Sequence, residues 1–204
     1  MHRPQVLVFD LGKVLVDFDY GIAARRIAAQ GKIDAEAVKH FIDHSPLLFK
    51  YETGLITKTQ FYQEICDETG FGAGLDEFCG FFSDIFVPIK SMVTLQAELR
   101  EKGLPAYIFS NTNELAVEHI RRQFPFFENF DGYILSFEHG AMKPDPKLYE
   151  VVERKSGRQG ADILYLDDRP ENITTGAQRG WQVILQESPA QTRSAIQALG
   201  LLDN

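Results

Sequence analysis

The sequence predicts an α/β protein, in which one parallel β-sheet carries helices and a block of helices interrupts the chain after the first strand. From residue 104 onward, short apolar runs rich in β-forming residues alternate with helical stretches, a pattern typical of parallel βαβ units. A run of the same type, residues 5–10, lies near the N-terminus, and helical patterns fill most of the sequence between the two. These observations favour a single sheet with an inserted helical unit.

Each element of the sheet region has readable ends. We predict strands over residues 5–10, 104–110, 132–136, 162–167 and 181–186. Between and after them we predict helices over residues 114–124, 146–156 and 170–179, and a last helix from Ser188-Pro189 to before Gly200. In the second of these helices, Asp145 supplies the N-cap, Pro146 occupies the first turn and Gly157 follows the end.

The inserted block has its own helical signals. The sequence Thr57-Lys58-Thr59-Gln60 has the form of a capping box that opens a helix. We predict helices over residues 20–30, 34–44, 57–69 and 75–86, and a further one over 91–102 that returns the chain to the sheet. The predicted division is therefore a core of residues 1–15 and 90–204 and a helical cap of residues 16–89.

The composition is that of an ordinary globular protein. The 204 residues carry a net charge of −8, with 44% hydrophobic and 25% charged residues, which disfavours nucleic acid as a partner. No apolar run approaches the roughly 20 residues that span a bilayer, so we expect no membrane partner. Because Met1-His2-Arg3-Pro4 leads directly into the first strand, we expect no signal peptide and a cytoplasmic location.

Polar side chains follow the apolar runs at the ends of three predicted strands. Asp10 follows the first run, Ser110 ends the second, and the pair Asp167-Asp168 follows a later one, while Lys143 lies in a loop between them. Ligands of open α/β sheets bind beyond the carboxyl ends of the strands, so we expect these residues to converge there beneath the inserted helices. Taken singly, each is also compatible with a helix cap or a solvated loop, so the prediction depends on the ordered set.

The residue types at these positions predict a particular chemistry. Three carboxylates would gather a charge of about −3 in a small volume and cannot all stay ionised without a compensating cation. Mg²⁺ is favoured because it takes oxygen ligands, keeps waters and accepts a phosphate oxygen. The carboxylate of Asp10 can attack phosphorus to form an acyl-phosphate, while Lys143 and Ser110 can bind the phosphoryl oxygens.

In this order, Asp10, Ser110, Lys143 and Asp167-Asp168 resemble the four motifs of the haloacid dehalogenase-like hydrolases. The resemblance implies a Rossmann-like parallel-sheet core with a helical cap inserted after the first strand. Residues 9–17 are most similar to a bacterial subgroup that includes sugar-1-phosphate phosphatases. Asn172, four residues beyond Asp168, lies in a segment of a kind found in this family, and we assign it no role.

The resemblance also implies roles for individual residues. Asp10 would be the nucleophile, with Ser110 and Lys143 as further catalytic residues, and the phosphoryl group would be bound by Ser110, Asn111 and Lys143. The Mg²⁺ ligands would be Asp10, the backbone carbonyl of Gly12, Asp167 and Asp168. The sequence leaves open which of Asp167 and Asp168 binds the metal directly.

Gly12 departs from the pattern, because phosphatases of this family usually carry there a second aspartate, the general acid/base. Such a group is worth roughly 10²–10⁴-fold in rate. Three interpretations remain open: the leaving group departs unassisted, another group takes the place of the acid, or the protein binds phosphate and turns over poorly. The candidate substitutes are Asp17, Asp19, His44 and Glu52.

The leading hypothesis is a Mg²⁺-dependent phosphatase that hydrolyses a small phosphorylated metabolite, such as a sugar phosphate, through an aspartyl-phosphate. One alternative is a metal-free dehalogenase-type hydrolase, which would use Asp10 on carbon and would not need the second aspartate. The other is a catalytically weak module that binds phosphate or a partner. The physiological substrate and the oligomeric state stay open.

Overall fold

The computed structural model describes residues 2–203 and contains the predicted parallel sheet. Five strands pair in the order β5-β4-β1-β6-β7, and every pairing is parallel. The strand bounds, including a separate two-stranded ribbon of β2 and β3, are β1 Val6–Phe9, β2 Val16–Phe18, β3 Phe86–Pro88, β4 Ala106–Ser110, β5 Gly132–Leu135, β6 Ile163–Asp167 and β7 Gln182–Leu185. The predicted α/β class is confirmed.

Ten α-helices lie within the described residues. They are α1 Tyr20–Ala28, α2 Ala35–His44, α3 Leu47–Glu52, α4 Lys58–Thr69, α5 Leu75–Ser83, α6 Lys90–Glu101, α7 Glu114–Gln123, α8 Pro146–Ser156, α9 Pro170–Gln178 and α10 Pro189–Ala198. The predicted capping signals act as expected: Thr57 and Gln60 form a reciprocal capping box. Gly157 ends α8 in the left-handed conformation, with φ 65°.

Alternation along β1 distributes its side chains between two apolar layers. Leu7 and Phe9 pack into one cluster with residues of α6, α7 and α10, whereas Val6 and Val8 pack into a second cluster with α8. All four side chains of this strand are buried, as a central parallel strand covered on both faces requires. The strand therefore holds its carboxyl end, and the residue that follows it, in a fixed place.

Helices α1–α5 bury an apolar cluster of their own. Its aromatic centre consists of Phe61, Phe78 and Phe82, whose ring centroids lie 4.9–5.9 Å apart. Leu115 of α7 joins this cluster from the sheet region. The separate cluster supports the division into a core of residues 1–15 and 90–204 and a cap of residues 16–89, which stays our proposal; residues 1 and 204 lie outside the described part.

Two elements of the cap region differ from the sequence prediction. Helix α5 ends at Ser83 rather than Phe86, and Phe86 instead pairs with Phe18 in the antiparallel ribbon of β2 and β3. The short helix α3 was not predicted. None of the helices between residues 2 and 203 combines the length and apolar character needed to cross a bilayer.

The end of α3 and the residues that follow it pack closely against the sheet region. The Glu52 carbonyl accepts a hydrogen bond from the Ser136 hydroxyl at 2.5 Å. Two residues later, Gly54 has φ +69°, and a Cβ there would lie 2.2 Å from the Phe137 carbonyl oxygen. Glycine is needed at this position both for its backbone conformation and for the close approach.

We expect Gly54→Ala to lower the free energy of unfolding more than Gly140→Ala does. Both glycines have positive φ, which costs an L-residue about 1–2 kcal/mol, but a Cβ at Gly140 meets nothing within 4 Å. Urea denaturation of the two variants measures the difference. Equal losses would show that the contact between Gly54 and Phe137 adds no steric constraint.

Candidate active site

Asp10 stands directly after β1, at the carboxyl end of the central strand. Its backbone N–H donates to the Leu166 carbonyl at 2.9 Å, which extends the pairing with β6, and its Oδ1 accepts from the Leu11 N–H at 2.7 Å. The chain then turns tightly, with Lys13 at φ 59° and the Val16 N–H donating to the Leu11 carbonyl. The carboxylate is thus almost buried, at 7% exposure, in a constrained position.

Lys143 brings two of the predicted carboxylates together. Its Nζ lies 3.0 Å from Asp10 Oδ1 and donates to Asp167 Oδ2 at 2.6 Å. A further hydrogen bond, of 2.8 Å, goes to the Phe109 carbonyl of β4. The ammonium therefore contacts acceptors from three elements of the sheet region.

Asp167 is fully buried and its two oxygens are extensively hydrogen-bonded. Besides Lys143, the carboxylate accepts from the Tyr165 hydroxyl and from the Arg169 N–H, the latter at 2.8 Å. The side-chain amide of Asn172 donates to both oxygens, at 3.0 and 3.1 Å. Sequence reasoning left Asn172 without a role, and its place in the first turn of the helix after the acidic pair is the signal that indicates one.

Asn111 fixes the backbone of Lys143 through two hydrogen bonds. The Asn111 Oδ1 accepts from the Lys143 N–H at 2.7 Å, and the Asn111 Nδ2 donates to the Lys143 carbonyl at 3.0 Å. Ser110, by contrast, is buried at the end of β4 and its hydroxyl donates to the Asn111 carbonyl at 3.3 Å. Asn111 and Thr112 line the cavity above Asp10, and Ser110 is not among its lining residues.

Asp10, Asp167 and Asp168 form a carboxylate cluster whose candidate ligand oxygens all lie within 4.8 Å of one another. Asp168 is half-buried and lines the cavity, unlike Asp167. Lys143 offsets only part of the negative charge of this cluster. A hard cation with oxygen ligands therefore fits the donor set.

The local environment perturbs the three acids differently. Burial raises the pKa of Asp10 to about 7, and the nearby Lys143 ammonium only partly opposes this rise. Burial, reinforced by the charge of Asp167, also raises the pKa of Asp168. For Asp167, the opposing effect of the Lys143 charge and its hydrogen bonds outweighs burial and holds the pKa below its ordinary value. Asp167 is therefore the permanently charged partner of Lys143.

A cavity of about 250 Å³ opens above Asp10 between the sheet and the cap helices. Gly12 lies on its wall, and a Cβ at Gly12 would be 2.9 Å from Cε1 of Phe18. The Phe18 ring is itself packed against Tyr20 and Phe86, at centroid distances of 5.5 and 5.8 Å. An aromatic ring thus stands beside the position where the usual acid would project.

The four candidate substitutes for that acid lie in different places. Asp17 is exposed and pairs with Lys13, and Asp19 caps α1 by accepting from the Gly21 N–H. His44, at the end of α2, packs against His40, with the two rings tilted by 50° and their centroids 4.4 Å apart. Of the four, Glu52 alone lines the cavity.

A family model described as a haloacid dehalogenase-like hydrolase matches residues 4–180, most of the chain. The chain belongs to this family. The resemblance seen in the motifs is confirmed, and this hydrolase shares the fold of solved family members.

Among its relatives, D-ribitol-5-phosphate phosphatase from Bacteroides thetaiotaomicron is 25% identical over 200 residues, covering 93% of this chain and 95% of that protein. A haloacid dehalogenase-family enzyme from the same organism, crystallised with magnesium and inorganic phosphate, has a TM-score of 0.81 at 22% identity and covers 93% of this chain and 98% of that one. A haloacid dehalogenase-like hydrolase from Porphyromonas gingivalis has a TM-score of 0.78 at 22% identity, covering 95% and 98%.

Replacing Asn172 in this hydrolase should destabilise the fold. Asn172→Ala removes two hydrogen bonds from a buried carboxylate, and we expect the free energy of unfolding to fall by about 1–3 kcal/mol. Gln178→Ala, at an exposed position of the same helix, is the matched control for the loss of a side-chain amide. If both variants unfold at the same urea concentration, Asn172 is not needed to hold Asp167.

Proposed function

We propose that the protein is a Mg²⁺-dependent phosphatase that hydrolyses a small phosphorylated metabolite through an aspartyl-phosphate on Asp10. The observation that carries the proposal is the position of the Asp10 carboxylate beneath the cavity, beside Lys143 and Asp168. Asp10 Oδ1 already accepts from Leu11 and faces Lys143, which favours Oδ2 as the attacking atom.

The reaction has two displacements at phosphorus. In the first, Asp10 Oδ2 forms a bond to phosphorus while the bond to the leaving oxygen breaks, and that oxygen takes up a proton. In the second, water attacks the acyl-phosphate, gives up a proton, releases inorganic phosphate and restores the carboxylate. Lys143 balances charge on the nucleophile and on the phosphoryl group throughout, and Asn111 holds it in place.

The donor set suits Mg²⁺, and we assign Asp10, Asp168 and the Gly12 carbonyl as its direct ligands. Bound Mg²⁺ supplies charge neutralisation and orients the phosphoryl oxygens. Asp167 belongs to the same carboxylate cluster, but both of its oxygens already accept hydrogen bonds and its side chain is fully buried. We therefore assign Asp167 to the positioning of Lys143 rather than to direct coordination.

Residues around the cavity favour a small polar substrate with an apolar part. Phe18, Leu48 and Phe86 contribute apolar surface, and Tyr20 and Glu52 contribute polar groups. The relative that hydrolyses D-ribitol-5-phosphate is aligned over nearly its whole length, which supports a sugar or polyol phosphate. Ser110 retains its predicted role as a phosphoryl ligand only if its hydroxyl turns from the Asn111 carbonyl toward the cavity.

The dehalogenase alternative uses the same nucleophile but has no need of a cation. Asp168 lines the cavity with a carboxylate close to Asp10, an arrangement whose charge a bound cation balances. The phosphatase proposal accounts for both acids.

We expect Asp10→Asn to abolish turnover of phosphate esters, with a loss of at least about 10³-fold, because it removes the nucleophile. The measurement is phosphate release from a panel of sugar phosphates, polyol phosphates and an aryl phosphate, with Mg²⁺ and with a chelator. The exposed Asp67→Asn is the matched control. Absence of any Asp10-dependent hydrolysis across the panel would overturn the proposed function.

Mg²⁺ should raise the Tm of the wild-type protein, since a cation that binds only the folded chain stabilises it. Asp168→Asn should lose most of this shift because it removes a direct ligand, while Asp67→Asn should keep it. Thermal unfolding across a Mg²⁺ titration provides the measurement. A full shift in Asp168→Asn would place the ion elsewhere.

A further inference from the structure

The cavity lacks an acid on the side where this chain has Gly12. Phe18 occupies the adjoining space, with its ring atom Cε1 2.9 Å from where a Cβ at Gly12 would lie. Lys13 stands over the same ring, 4.7 Å from its centroid. If the leaving oxygen receives a proton from a side chain, that side chain belongs to another wall of the cavity.

Glu52 is the carboxylate that the cap contributes to the cavity lining within residues 2–203; the other two, Asp10 and Asp168, come from the sheet. It is the last residue of α3, a helix that ends against the core. Its side chain is half-buried, so part of it is open to the cavity while the rest is packed. The Glu52 carboxyl and the nucleophile Asp10 therefore line the same cavity, one from the cap and the other from the sheet.

The backbone of Glu52 is held at this place by two contacts with the sheet region. Its carbonyl accepts from the Ser136 hydroxyl at 2.5 Å, and the same hydroxyl is within 2.9 Å of the Thr112 N–H. Gly54 adds a close approach to the Phe137 carbonyl. These contacts fix the end of α3 relative to the strands that carry Asp10 and Lys143.

The surroundings of Glu52 suit a group that both donates and accepts protons near neutral pH. Burial raises its pKa to about 7, and the charge of Asp10 contributes to the rise. The Tyr20 hydroxyl from α1, the Asn113 side chain before α7 and the Arg169 charge before α9 oppose it. The C-terminal end of α3 also disfavours a negative charge, as the partial negative end of a helix does.

We propose that Glu52 is the general acid/base of the reaction, in place of the aspartate that Gly12 excludes. This inference rests on the proposed phosphatase function. In the first step, the Glu52 carboxyl gives its proton to the leaving oxygen as the bond from phosphorus to that oxygen breaks. In the second, the Glu52 carboxylate takes a proton from the water that attacks the aspartyl-phosphate, which returns Glu52 to its protonated form.

The test compares Glu52→Gln with wild type on two substrates at several pH values. D-Ribitol-5-phosphate has an alcohol oxygen as its leaving group, which departs poorly without a proton. With this substrate we expect kcat to fall by roughly 10²–10⁴-fold. The limb of the pH profile that is due to Glu52 should also disappear. With p-nitrophenyl phosphate, whose leaving group needs no proton, the first step should survive and the second should slow. Nitrophenol should then appear in a burst, and phosphorylated Asp10 should accumulate, which mass spectrometry detects.

Two controls keep the test specific. Glu64→Gln makes the same change at an exposed position of the cap and should behave as wild type. Formate added to Glu52→Ala should restore part of the turnover, a readout that a purely structural role would not give. Thermal unfolding of each variant checks that it is folded, and the formate experiment decides the matter if Glu52→Gln is unstable.

The outcomes separate this inference from the function on which it rests. Wild-type turnover that depends on Asp10, together with Glu52→Gln activity within about threefold of wild type on both substrates, would overturn the role of Glu52 alone. Absence of Asp10-dependent turnover of every ester in the panel by the wild type would instead overturn the phosphatase. A burst with trapped phosphoenzyme in Glu52→Gln supports both.

Discussion

The buried Lys143 ammonium is the interaction on which the rest of the site depends. Its three acceptors belong to adjacent central strands of the sheet: Asp10 follows β1, Phe109 lies in β4 and Asp167 ends β6. A desolvated cation with one acceptor missing would remain buried without compensation, which is strongly destabilising. The same contacts therefore hold the strand ends together and set the position of the nucleophile.

This network also explains why a divalent cation is needed for the proposed chemistry. When all three carboxylates are ionised, they and the ammonium carry a net charge of about −2 in a confined volume, which repels a phosphoryl dianion. The single positive charge of Lys143 offsets only one of the three negative charges. A second cation beside Asp10 and Asp168 makes the site complementary to phosphate, and the half-buried position of Asp168 leaves its carboxylate accessible for that contact.

The sequence predicts the parts of the structure that are local and leaves out those that tertiary contacts create. The strand-ending acids and the caps at Thr57 and Asp145 could be read directly, because each depends on its immediate neighbours. The ribbon of β2 and β3 has three residues in each strand, and its stability comes from packing between Phe18 and Phe86, which are distant in sequence. Helix α3 is likewise too short to form alone.

The same limit applies within the site. The order of Asp10, Lys143 and Asp167 predicted that they meet, but the target of Asn172 depends on how the turn after Asp168 folds back on the buried carboxylate. Glu52 was one of four candidates named from the sequence, where it had the character of an ordinary surface residue. Two structural features distinguish Glu52 from the other three candidates. It lies at the end of α3, a short helix that the sequence pattern did not predict, and its carbonyl accepts a hydrogen bond from Ser136.

Placing the proton donor on the cap has a consequence that a donor at position 12 would not have. A group two residues after the nucleophile would be held by the turn that follows β1, whereas Glu52 is held at the cavity by the hydrogen bond of its carbonyl to Ser136 and by the close approach of Gly54 to Phe137. In the proposed reaction, completion of the acid/base machinery therefore depends on the contacts that hold the end of α3 against the sheet region.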